Sequence, residues 1–170
     1  MKIIVLAGGL SPERDVSLVS SAGICRTLLD KGHDVFLMDV FLGFPYDKER
    51  LEEVFTLPGH GLDIVDTIRT EAPDLAAVRA SRPDQYDCYL GPNVMELCRM
   101  ADITFLGLHG GVGENGKLQA TFDLLGIRYT GPDSLGCAVA MDKGITKHIF
   151  LETGVSTPQG VCIHKNKNKK

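Results

Sequence analysis

The sequence predicts an α/β fold, a three-layer arrangement in which an open, mostly parallel sheet carries helices on both faces. Two observations lead there. Short apolar runs alternate along the 170 residues with stretches of helical periodicity. Two of these runs, residues 2–7 and 103–108, each empty into a glycine-rich turn: Gly8-Gly9-Leu10-Ser11-Pro12-Glu13 and His109-Gly110-Gly111-Val112-Gly113-Glu114-Asn115-Gly116. Runs that are apolar at nearly every position mark strands covered on both faces. Turns that follow such strands lie at the carboxyl edge of the sheet, where open α/β folds bind ligands.

The elements follow in chain order. Residues 2–7 form the first strand, with Ser11 as helix N-cap and Pro12 as first helical residue. Val16, Val19, Ala22 and the stretch 25–29 recur at helical spacing, Gly32 ends that helix, and 34–40 is a second apolar strand, completing a βαβ unit. Residues 43–101 are less regular, with prolines at 45, 58, 73, 83 and 92; amphipathic stretches fall near 49–55 and 62–69, and a better helix over 94–100. There follow a strand over 103–108, a helix over 117–125, a short strand over 127–130 and one continuous helix over 134–153, with Ser134 as its N-cap and Lys143 in its middle. Residues 158–163 read as the start of one more strand, before a basic polar tail, 164–170.

Composition narrows the function. A net charge of -4, from 18 basic and 22 acidic residues, gives no nucleic-acid-binding face and little attraction to anionic membranes. No apolar stretch approaches the roughly 20 residues of a bilayer span, and residue 2 already begins a strand instead of a signal peptide. A cytoplasmic setting is the expectation. The five cysteines are scattered and contain no Cys-x-x-Cys pair, so neither a disulfide framework nor a zinc site is expected. Cys162 and His164 lack spacing partners for a metal, and none is assigned.

Several residues carry two readings. Glu13, in the first turn of its helix, is either a solvated carboxylate satisfied by the helix dipole or one aimed across the sheet edge at a substrate ammonium group. His109 is either a core histidine bonded to a backbone carbonyl or a donor facing the ligand crevice. Glu114 and Asn115 have ordinary turn chemistry, Gln119 an ordinary surface position, and Lys143 that of a solvated helical lysine. Asp39 stands where a dinucleotide fold places its ribose-binding acid, but the first turn lacks the G-x-G-x-x-G spacing and no Walker signature occurs.

Taken together these residues resemble the amino-terminal part of the D-alanine:D-alanine ligases, members of the ATP-grasp superfamily. The matching elements are G-G-x-S-x-E-R-x-V-S at Gly8 to Ser17, H-G-x-x-G-E-x-G-x-x-Q at His109 to Gln119, Tyr129-Thr130-Gly131, and Met141-Asp142-Lys143 followed by Gly154 to Pro158. The resemblance implies an enzyme that phosphorylates the carboxylate of one D-alanine with ATP and lets the amine of a second attack the acyl phosphate. It implies that Glu13 and His109 are catalytic, Glu13 holding the first ammonium. Gly8, Gly9, Ser11, Val16, Gly110, Gly111, Gly113 and Glu114 would line the substrate site, and Lys143 would reach the nucleotide phosphates.

The family resemblance implies ATP and Mg2+ as cofactors, D-alanine as partner and a homodimer, with no nucleic acid and no membrane. Two departures stand out. Asn115 replaces the aspartate of many relatives, and the longer 43–101 segment resembles ligases that include D-alanine:D-serine types. The expected organisation is a substrate-binding domain over 1–132, a linker helix and strand over 133–163 and the tail over 164–170. The magnesium ligands of the family cannot be placed in this chain, so it reads as a truncated or split ligase, inactive alone. The alternative is a non-catalytic domain that binds an amino acid or a protein partner.

Overall fold

A computed structural model describes residues 1–64, 67–82, 84, 86, 88–161 and 163. Three strands form one parallel sheet: β1 (Lys2–Ala7) lies between β2 (Asp34–Asp39) and β3 (Ile103–Leu106). β1 pairs with β2 from Lys2 opposite Asp34 to Ala7 opposite Asp39, and with β3 from Ile3 opposite Ile103 to Leu6 opposite Leu106. This register aligns Ala7, Asp39 and Leu106 along one edge. The loops leaving that edge start side by side.

Side chains alternate across the strands, so the sheet has two cores. Ile3, Val5, Ala7, Val35 and Leu37 pack with Leu18, Ala22 and Cys25 of α1 (Arg14–Asp30). Ile4, Leu6, Phe36 and Met38 pack on the opposite face, with Leu51, Val54 and Phe55 of the 3-10 stretch Lys48–Thr56, Val94 and Leu97, and Leu118 and Phe122. Both faces of the sheet are thus covered, the three-layer arrangement expected from its uninterrupted apolar strands.

The intervening segment folds locally around its caps. Asp47 accepts a hydrogen bond from the Glu49 amide to start the stretch 48–56, and Asp74 accepts from the amides of Ala76 and Ala77 to start α2 (Leu75–Ala80), a helix not expected from the sequence. The expected element near 62–69 is only a 3-10 turn at Leu62–Ile64 among the described residues. α3 (Val94–Met100) and α4 (Lys117–Leu125) have the bounds their sequence predicts. Asn93 explains the start of α3: its side-chain amide donates to the carbonyls of Phe44 and Tyr46 and ties the helix entry to the chain after β2.

Four expectations are corrected. α1 begins at Arg14, not Pro12; Ser11 still serves as a local cap, its hydroxyl accepting from the Glu13 amide and its carbonyl from the Arg14 amide. The strand expected over 127–130 is a single parallel bridge, Thr104 to Tyr129, because past the Arg128 carbonyl and Thr130 amide the next β3 amide, that of Leu106, donates to the Thr130 hydroxyl instead of to backbone. The helix expected over 134–153 is two helices, α5 (Ser134–Met141) and α6 (Lys143–Glu152), and Asp133 instead of Ser134 caps the first. Residues 158–161 and 163 carry no strand; Cys162 and the tail 164–170 lie outside the described residues. No helix among the described residues is long and apolar enough to cross a membrane.

Candidate functional site

The first glycine turn is shaped by the group it must admit. Gly8 and Gly9 take positive φ values of 69° and 80°, a region that residues with a Cβ enter at a cost. A methyl group on Gly8 would sit 2.0 Å from Asp39 Oδ2. Asp39 needs that space because it is 2% exposed at the end of an apolar strand and finds its counter-charge in Arg14, 7% exposed, across the turn. Arg14 Nη1 lies 2.5 Å from Asp39 Oδ2 and donates to the Gly9 carbonyl at 2.9 Å. Asp39 Oδ1 accepts from the amides of Phe41 and Leu42. The Tyr89 hydroxyl closes the outer side, within 2.5 Å of where a Gly9 Cβ would lie; burial, first, pushes this phenol up from its ordinary value.

Ser17 joins the first turn to the second. Its buried hydroxyl accepts from the Gly8 amide at 2.9 Å and donates to the Gly107 carbonyl at 2.7 Å, where Ser21 donates too. At Gly107 a methyl group would meet Ser21 Oγ at 2.0 Å, so glycine is what lets β3 run this close to α1. Three residues on, the loops converge. A methyl group on Gly110 would sit 2.9 Å from both Glu13 Oε2 and Ser11 Oγ. Glu13 is exposed, at the N-terminus of α1, while Ser11 beneath it is buried. The arrangement is a carboxylate and a hydroxyl at a helix start, facing a glycine-lined backbone. It suits a small ligand with an ammonium group. Gly111, exposed and with nothing within 4 Å of its would-be Cβ, forms the open side.

The structure therefore brings Ser11, Glu13 and Gly110 together where the two loops meet at the sheet edge, with Gly111 open beside them, while Gly8 and Gly9 are buried behind, against Asp39, Arg14 and Tyr89. The remaining candidates lie around or away from this crevice. His109 is half-buried, with Nε2 3.4 Å from Ser20 Oγ of α1. Val16 is exposed and borders a small cavity with Asp15, Ile68 and Arg69. Gly113 packs on Leu108 and, with Glu114, borders a separate cavity of about 410 Å³ between β3 and α5.

Gln119 belongs to that second cavity, and it corrects the surface expectation. It is 3% exposed and donates from Nε2 to the Gly113 carbonyl at 2.8 Å, holding the loop from below. Lys143 is likewise corrected. It is the first residue of α6, preceded by the cap Asp142, and not mid-helix. With Lys147 and His148 it borders a cavity of about 930 Å³ closed by residues 157–161. None of the crevice residues lines that cavity.

Lys143, at the helix start, and Lys147 a turn further on fit the phosphates of a nucleotide. A divalent cation has no such match. Among the described residues no group of three or more His, Cys, Asp or Glu side chains converges, and a cavity bordered by two lysines offers no hard anionic ligands.

Arg14, Asp39, Ser17 and Gly107 hold the two loops from behind, a role not expected from the sequence, where Asp39 reads only as a possible ribose-binding acid and Arg14 and Ser17 only as motif positions. One signal was available. An aspartate ending the run Val35-Phe36-Leu37-Met38 needs a buried cation, and the first turn of the preceding helix supplies one.

Comparison with known proteins places the chain in a family. A family model described as the D-ala D-ala ligase N-terminus matches residues 2–132. The D-alanine–D-alanine ligase of Lacticaseibacillus casei (strain BL23) is 43% identical over 159 residues, 92% of this chain and 43% of that protein. The ligase of Pediococcus pentosaceus is 43% identical over 167 residues, 96% of this chain and 46% of its own length. The chain thus spans less than half the length of these relatives. Among solved structures, the D-alanine–D-alanine ligase of Bacillus anthracis complexed with ATP shares the fold with a TM-score of 0.61 at 23% identity, over 100% of this chain and 42% of that one. From its first strand to the turn after Thr130, this chain belongs to the D-alanine–D-alanine ligase N-terminal family.

Proposed function

We propose that residues 2–132 form the part of a D-alanine–D-alanine ligase that binds the first D-alanine. The enzyme would activate that amino acid's carboxylate with ATP and join it to the amine of a second D-alanine. The observation that carries this reading is the meeting of the Glu13 carboxylate with Gly110 at the crevice between the two glycine turns. In it, Glu13 receives the substrate ammonium and fixes which end of the amino acid faces α1. The glycine backbone of 110–111 lets the substrate approach without side-chain obstruction. His109, half-buried beside α1, presents its ring at the end of β3, next to the substrate carboxylate.

Lys143 acts as a contact for nucleotide phosphates; its exposed ammonium at the start of α6 supports this role. Mg2+, where the reaction uses it, is held by residues other than these. A homodimer and a cytoplasmic setting belong to the same reading on the family resemblance. Gly113 and Glu114, at the cavity beside α5, and Val16, at the cavity beside Arg69, do not touch the ammonium in this reading.

Calorimetric titration of the full chain with D-alanine, beside Glu13→Gln, tests the proposal. Loss of one charged hydrogen bond weakens binding by about 1.5 to 3 kcal/mol, roughly ten- to a hundred-fold. That loss in Glu13→Gln, with the thermal midpoint unchanged, is the expected outcome. No D-alanine uptake by the unsubstituted chain, or equal uptake by both, overturns it.

A further inference from the structure

We infer that the buried Arg14–Asp39 pair is the positioning device of the amino-acid site: it sets the path of the Gly8–Glu13 turn and, through it, the place of the Glu13 carboxylate. The inference rests on the function proposed above. Neither residue touches the substrate in it.

Four contacts converge on this pair. Asp39 Oδ1 is occupied by the amides of Phe41 and Leu42 at 2.8 and 2.9 Å, which fixes the carboxylate on the β2 side. Its Oδ2 is left for Arg14 Nη1 at 2.5 Å. The same Nη1 draws in the Gly9 carbonyl at 2.9 Å. Gly8 passes so close that a Cβ would collide with Asp39 Oδ2 and touch Arg14 Nη1 at 3.0 Å.

The turn is thereby held from inside by one guanidinium. Arg14 also follows Glu13 in the chain, and its backbone amide donates to the Ser11 carbonyl at 3.0 Å, while the Glu13 amide donates to Ser11 Oγ at 3.1 Å. The residue that clamps Gly9 therefore also fixes the backbone from which Glu13 projects.

A pair buried to this extent carries a desolvation penalty that apolar residues of similar volume would avoid, so packing alone does not account for it. Charge at this place serves geometry: an apolar pair could not pull in the Gly9 carbonyl. The sequence pattern agrees, since the arginine stands next to the proposed ammonium ligand and the aspartate ends the strand beside β1.

The test uses the full chain with Asp39→Asn, which keeps a carbonyl oxygen for the amides of Phe41 and Leu42 and removes the charge facing Arg14. Arg14→Lys, which keeps the charge and loses the planar fork, is the second variant and replaces the first should Asp39→Asn not fold. Without ligand, amide NMR signals of Gly8 to Arg14 are expected to shift and exchange faster, while those of Lys2 to Leu6 hold. Unchanged signals over 8–14 would overturn the inference.

With D-alanine, the dissociation constant is expected to rise about tenfold or more in the still-folded variant. In a Glu13→Gln background the same substitution is expected to add less than about twofold, because the pair acts through Glu13. An equal loss in both backgrounds makes the pair a general support of the fold and overturns the inference. An unsubstituted chain that takes up no D-alanine overturns the functional reading instead, and the ligand-free signals then decide the positioning role.

Discussion

Asp15 shows how little separates a structural carboxylate from a functional one. It stands two residues after Glu13, yet it is 8% exposed and faces Arg69, which donates to its two oxygens at 3.0 and 3.3 Å. The Arg69 hydrogen bond, first, holds its carboxyl below the ordinary 3.8, against an opposing push from burial. A depressed folded pKa contributes stability that is present above the unfolded value and is lost as pH falls through the folded one. With Arg69 half exposed, the contribution is about 0.5 to 1 kcal/mol. Asp15→Asn is expected to lower the urea-unfolding free energy by that amount, evenly from about pH 7 down to about pH 5, with the gap closing only below 3.8. A gap that closes already above about pH 5 would contradict the assignment.

Glu13, exposed and with no cationic partner among the described residues, is the carboxylate that meets Gly110. The sequence separates the two acids only by position. Their partners, Arg69 from more than fifty residues on and Gly110 from the other half of the chain, are tertiary facts.

At the scale of elements, legibility follows the strength of the stop signals. α4 runs between Gly116 and Gly126, both at positive φ, and those two glycines mark its ends in the sequence. α3 instead starts after Asn93, at positive φ, and ends at the extended Ala101. The stretch 134–153 misleads because it carries no proline and neither of its glycines, Gly136 and Gly144, stands at the junction, so nothing in its periodicity marks a break there.

Asp142 supplies the break instead. Its extended backbone ends α5 while its side chain accepts from the Ile145 amide and starts α6. Short polar side chains compete for the backbone in this way and favour helix starts over helix interiors. α6 buries none of its residues, so its capping bond is a large part of what orders it. Asp142→Ala is expected to destabilise α6 by about 1 kcal/mol. Hydrogen exchange should quicken several-fold at the α6 amides and stay unchanged in β1; equal quickening of both, or of neither, would contradict a locally capped helix.

Over the whole molecule, the sheet was legible because β1, β2 and β3 are apolar on both faces, a pattern that admits few folds. The middle of the chain was not, because the residues of 43–101 that reach the core, such as Leu51, Phe55 and Leu97, are separated by stretches fixed through single side chains. Asn93 bonded to the Phe44 and Tyr46 carbonyls is one such tie, and no periodicity announces it. The same holds for the crevice. Its glycines were readable as turns, whereas the ion pair behind them joins residues 25 positions apart. What emerges is a parallel sheet whose aligned strand ends deliver two glycine turns, tied by Ser17 and braced by Arg14 and Asp39, to a common edge.

The central claim is that D-alanine binds at that edge. Titrating isotopically labelled full chain with D-alanine and following the amide signals tests it most directly. The account predicts shifts concentrated at Gly8 to Glu13 and His109 to Gly111, with Lys143 to Leu151 unmoved. Shifts confined to α6 and the 157–161 segment, or none anywhere, would contradict it.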